Sequence, residues 1–257
     1  MKTTVILNLK GGVGKTTTVI NMAALLASEH GKRVLVIDAD HQCNATEFLG
    51  GDPRIGNLAD VLRYPHDGGF DCATSIQHSN IEGVDLLAGS DGLMDLDLTT
   101  ASIGKAHISN LQEGLMVLAE RDMYDHVLID CPPAFNAASA AALAAGDEVI
   151  IPIKLDAFSL RGMANLLQQV VNMRAINPHI RIAGVLPTMF YRSSRTDDAI
   201  HTLEEHGFAV LYPIRASRTV DEMTYKQEPL RISSPHSGAG IDYRNFIEDF
   251  LGGGLDE

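Results

Sequence analysis

The chain has 257 residues, 45% of them hydrophobic, which suits one large α/β domain over residues 1–257 and excludes a disordered segment. Its formal net charge of -13 argues against a body that coats nucleic acid, and no apolar run is long enough for a membrane span. The start, Met1 to Thr4, runs directly into a strand pattern with no signal peptide, and Cys43, Cys72 and Cys131 form no C-x-x-C pair, so a cytoplasmic chain with reduced thiols is expected.

Near-continuous apolar runs at 3–9, 33–39, 126–130, 148–153 and 180–188 read as strands buried on both faces of a parallel sheet, with shorter candidates at 84–89 and 208–211. Helical patterns fall between them at 15–30, 106–121, 137–146, 159–175, 194–206 and 240–251, with shorter pieces at 57–63 and 93–101. This alternation predicts a doubly wound, mostly parallel sheet flanked by helices. The Gly-, Pro- and Asp-rich stretch 50–80 reads as a surface excursion, and the end, Gly252 to Glu257, as a frayed tail.

The run LKGGVGKTT, Leu9 to Thr17, follows the first strand and opens the first helix. It departs from G-x-x-x-x-G-K-[ST] only in having Leu9 where the first glycine would stand. Gly11, Gly12 and Gly14, with Val13 between them, let backbone N–H groups converge on a phosphate without Cβ interference, and the helix start adds its dipole. Lys15 would reach the β- and γ-phosphates, the Thr16 hydroxyl would ligate Mg²⁺, and Thr17 completes the loop. The second strand delivers Asp38 and Asp40 to the same edge, on one side of the strand if it persists that far, and the third ends in Asp130 before Cys131-Pro132-Pro133. One acid can support a metal while another orients an attacking water, the division of labour phosphoryl transfer needs.

Together KGGVGKTT, DADHQCNAT, IDCPPAFNAASAAALAAGDEVIIPI and GVLPTMFYRSSRTDDAI resemble the ParA/MinD group of deviant Walker ATPases, and within it the short ParA type, over essentially the whole chain. That resemblance implies an ATP-binding, Mg²⁺-dependent partition ATPase whose loop need not begin with glycine. It makes Lys10 the signature lysine that reaches the opposite subunit of an ATP-sandwiched homodimer. By the same resemblance Lys15 and Thr16 hold the phosphates and Mg²⁺, Asp40 orients the hydrolytic water, and Asp38 and Asp130 support the metal. Thr188, Met189 and Pro213 fall where the family lines the adenine. Where family members read Asp-Pro-Gln, this chain has Asp40-His41-Gln42, which loosens the segment.

Charge is unevenly spread: residues 34–160 carry five Lys/Arg against twenty Asp/Glu, whereas 161–231 carry nine against seven. The resemblance implies nonspecific DNA contacts in that basic third, from Arg215 and Arg218. Arg192 and Arg195 repeat their i, i+3 spacing, which shares a face if the segments are helical. It also implies a ParB-like or cargo-adaptor partner that stimulates hydrolysis, and nucleoid association in the ATP state. A membrane-cycling, MinD-like alternative needs a basic amphipathic C-terminus. The sequence IDYRNFIEDFLGGGLDE has one strong cation among five acids, so no membrane partner is expected.

Overall fold

A computed structural model describes residues 1–63, 72–98 and 105–252. Seven strands form one sheet: β1 (Lys2–Ile6), β2 (Val34–Asp38), β3 (Gln77–His78), β4 (Val84–Leu87), β5 (His126–Asp130), β6 (Glu148–Ile153) and β7 (Arg181–Pro187), in the order β3-β4-β2-β5-β1-β6-β7. All pairings are parallel except that of the two-residue β3 with β4. The doubly wound, mostly parallel sheet expected from the alternation is therefore present.

Alternate residues along each strand feed two cores. One face sends Val5, Leu35, Ile37, Val127 and Ile129 into a layer with α3 (Leu58–Arg63), α5 (Lys105–Glu120), α6 (Ala137–Ala145) and α7 (Ala157–Met173). The other sends Ile6, Val34, Val36 and Leu128 against α1 (Lys15–His30), α2 (Asn44–Phe48), α10 (Leu230–Ser233) and α11 (Gly238–Leu251). The helices α4 (Gly92–Leu98), α8 (Ser194–Glu205) and α9 (Arg218–Lys226) complete the set. Burial on both sides explains why the strands read as unbroken apolar runs.

Several expectations are corrected in detail. The first strand ends at Ile6 and not at Leu9, because Asn8 turns its side chain onto the Pro152 carbonyl, 2.7 Å, and accepts from the Lys10 N–H, 2.9 Å. The candidate strand 208–211 is not a regular strand. Its backbone pairs beside β7 through Val185 N–H to Ala209 O, 2.8 Å, and Leu211 N–H to Val185 O, 2.9 Å, but the pairing is broken into isolated bridges at Val210 and Arg215. The part of the expected excursion at 64–71, the last residues of the expected helix 93–101 and the tail from 253 lie outside the described residues.

Candidate functional site

Parallel register sets the site. Asp38 pairs with Asp130 across β2 and β5, and Ile6 pairs with Asp130 across β1 and β5, so three neighbouring strands end at one level. Beyond Ile6 the chain crosses Lys10–Gly14 to enter α1. Gly12 and Gly14 have φ of 69° and 82°, left-handed values that side chains resist, and Gly14 caps the helix with no side-chain acceptor. The amide groups of the first turn therefore keep their donors for an anion at the sheet edge.

Lys15 is buried and its ammonium donates to the Lys10 carbonyl at 3.2 Å. Desolvation lowers its pKa, opposed by the nearby Asp130, Cys131 and Asp40. Asp130 is 1% exposed, and among the described residues neither carboxylate oxygen meets hydrogen-bond geometry, although the Thr16 hydroxyl is near enough to pull its pKa down. Burial, then the charge of Asp38, raises the Asp130 pKa well above the ordinary carboxylate range. A desolvated carboxylate without donors, beside a hydroxyl at a helix start, is an oxygen donor set suited to Mg²⁺.

Asp38 is placed differently. One oxygen accepts the Asp40 N–H, 3.1 Å, and the other accepts both the N–H and the hydroxyl of Thr46, 2.8 and 2.7 Å. Burial lifts its pKa to about 6, with the Thr46 bonds pulling the other way. Both of its oxygens accept from protein donors, so Asp38 also anchors the segment that carries Asp40. The strand stops at Asp38, and Asp40 sits in the following turn, accepting from Gln42 N–H at 3.0 Å with the His41 ring 3.6 Å away. Cys43 then adopts φ of 55° and starts α2, a short helix that the polar run HQCNATEF does not announce. Thr46 is a functional-region residue that the sequence reading missed; its hydroxyl also accepts Gly89 N–H at 2.8 Å.

A cavity of about 510 Å³ opens beside the loop, lined among others by Gly14, Thr17, Thr188, Met189, Arg215 and Arg218. Thr188 donates to Val13 O at 2.9 Å, and Met189 lies in the left-handed region, φ 48°. Pro213 is not part of the lining; its neighbour Ile214 is, because Ile214 N–H bonds Pro187 O at 2.8 Å and faces that residue inward. Lys10 carries its ammonium to both oxygens of Asp156, 2.9 and 3.1 Å, just past β6.

The arginine pairs do not share helical faces. Ser193 caps α8 and Ser217 caps α9, so Arg192 and Arg215 lie before their helices while Arg195 and Arg218 lie within them. All four arginines are exposed, Arg215 with 54% of its side chain accessible while it is bound to the buried Asp242.

A family model described as an AAA domain matches residues 1–182. The chromosome partitioning protein ParA of Caulobacter vibrioides is 33% identical over 198 residues, 76% of this chain and 72% of that protein. Among solved structures, apo McdA from Cyanothece superposes with a TM-score of 0.84 at 26% identity, covering 98% of this chain and 99% of that one. Cobyrinic acid a,c-diamide synthase of Mycobacterium smegmatis with bound ADP and magnesium has a TM-score of 0.81 at 27% identity, covering 99% and 96%. With the glycine-rich loop, its lysine and the acidic strand ends at one sheet edge, these matches identify the chain as a member of the ParA/MinD family of P-loop ATPases.

Proposed function

We propose that the protein is a partition or positioning ATPase in which Mg·ATP binding drives a homodimer that holds DNA nonspecifically until a partner stimulates hydrolysis. The observation that carries the nucleotide chemistry is the pair of donor-free oxygens on buried Asp130 beside Thr16 and Lys15. The loop amides and Lys15 bind the phosphates, with Gly11, Gly12, Val13, Gly14, Thr16 and Thr17 wrapping them. Thr16 and Asp130 hold the metal, and Asp38 fixes the turn from which Asp40 orients the attacking water. Bound Mg²⁺ would neutralise charge on the β- and γ-phosphates. Thr188 and Met189 line the base. Lys10 leaves Asp156 to reach the partner's phosphates, so nucleotide state and dimerisation become linked.

DNA binding rests on the exposed Arg192, Arg195 and Arg218, doubled in a dimer, on a body of net charge -13. No helix among the described residues is long and apolar enough to cross a membrane, and the acidic end of α11 gives an anionic surface little to attract. Fluorescence polarisation with a nonspecific duplex tests the reading, run with ADP, ATP and a non-hydrolysable analogue across a salt series. Retention only in the ATP states, falling with salt, supports it. Absence of binding at low salt in every state overturns the DNA part.

A further inference from the structure

Arg215 keeps 54% of its side chain exposed and yet makes three hydrogen bonds to a single carboxylate. Its backbone N–H and Nε reach one oxygen of Asp242 at 2.9 and 2.7 Å, and its Nη2 reaches the other at 2.7 Å. Asp242 is 2% exposed on α11, so a DNA phosphate could draw the guanidinium away only by leaving a buried carboxylate uncompensated. The guanidinium passes over Gly238, where an added Cβ would lie 2.7 Å from Arg215 Cδ, so this glycine leaves room for the pair.

Arg215 lines the cavity, and Asp242 holds it from just outside the lining. Ile214, Arg215, Ala216 and Ser217 form one wall, and Tyr243, next to Asp242, lines the same cavity with its hydroxyl 3.4 Å from that of Thr18 on α1. The wall segment is also tied to the end of β7 by Ile214 N–H to Pro187 O, 2.8 Å, and to the following turn by Phe190 N–H to Ile214 O, 2.9 Å, and Ala216 N–H to Phe190 O, 3.0 Å.

We infer that Arg215 and Asp242 are positioning residues for nucleotide binding, setting the distance between the 214–217 wall and α11, and that Arg215 is not part of the DNA patch. The inference rests on the reading above that this cavity takes the nucleotide. Titration with fluorescent ATP and ADP analogues tests it, on wild type and on Arg215→Ala, Arg215→Lys, Asp242→Asn and Gly238→Ala. The last variant keeps both charges and Asp242→Asn keeps the shape, so the test does not depend on Arg215→Ala folding. Arg215→Ala and Gly238→Ala should weaken both nucleotides about tenfold or more, which is ~1.4 kcal/mol per decade. The loss should fall on KM for ATP more than on kcat, Arg215→Lys should recover part of it, and DNA retention at saturating analogue should persist. Wild-type nucleotide affinity in these variants, or DNA retention lost at saturation, overturns the inference. Wild type that binds nucleotide but no DNA overturns only the DNA reading, whereas wild type that binds no nucleotide overturns both.

Discussion

Replacing Thr46 by Val keeps its shape and removes one hydroxyl that serves two buried partners. At pH 8, about two units above the Asp38 pKa of about 6, the carboxylate is ionised and the bond from the Thr46 hydroxyl, 2.7 Å, is charge-assisted. Losing it costs about 1.5–3 kcal/mol, and orphaning the Gly89 N–H costs about 1–3 kcal/mol more. The Thr46 N–H still reaches Asp38, so the two losses together come to about 2.5–6 kcal/mol, and about 4 kcal/mol is taken as the midpoint. At roughly 2.1 cal/mol/K per residue over a chain of this length, 4 kcal/mol lowers Tm by about 7 °C. Urea unfolding at pH 8 measures it, with Thr46→Ser as the control that keeps the hydroxyl and loses only a methyl, about 1 kcal/mol. A Thr46→Val loss below about 1 kcal/mol would show that Asp38 does not depend on this hydroxyl and would refute its role as an anchor.

Asp40→Ala should bind ATP, accumulate the dimer in sedimentation and lose hydrolysis by roughly a hundredfold or more; unchanged turnover removes the water-orienting role. Lys15→Ala should abolish nucleotide binding in the same titrations. Combined Arg192→Glu, Arg195→Glu and Arg218→Glu should abolish DNA retention while ATP still dimerises the chain. If each arginine meets one phosphate, the six of a dimer account for a log–log salt slope of about -5, and normal retention moves the patch elsewhere. His126, the first residue of β5, packs beside the Phe250 ring, and its pKa is lowered to about 4 by burial and by Lys2 and Lys32. The unfolded chain binds this proton first, so stability is full above pH 6.5 and falls as pH drops towards 4. After discounting for partial solvent screening the loss is about 2 kcal/mol. A His126→Gln variant should flatten that part of the profile, and an unchanged profile would place the titration elsewhere.

The parallel sheet, the loop and all three acids were legible because burial on both faces leaves an apolar run and the chemistry follows each strand's end. What escaped was set by tertiary context. Asp38 and Asp130 end strands alike in sequence, yet only the fold gives one three donors while, among the described residues, no donor meets the other in hydrogen-bond geometry. Arg215 and Arg218 share a spacing, but Ser217 starts a helix between them and Asp242, 27 residues on, claims the first. The helix Asn44–Phe48 has too few residues to show a period, and it exists because Asp38 receives Thr46 from within it.

The level ending of β1, β2 and β5 also constrains how such a chain can vary over evolution. Each strand residue advances the chain by about 3.3 Å and turns the next side chain to the opposite face. A single deletion within Val34–Asp38 or His126–Asp130 would therefore withdraw an acid from the edge and turn it into one of the two helical layers. Length changes that leave the three strand ends level are therefore those in the connections, which the sheet register does not constrain.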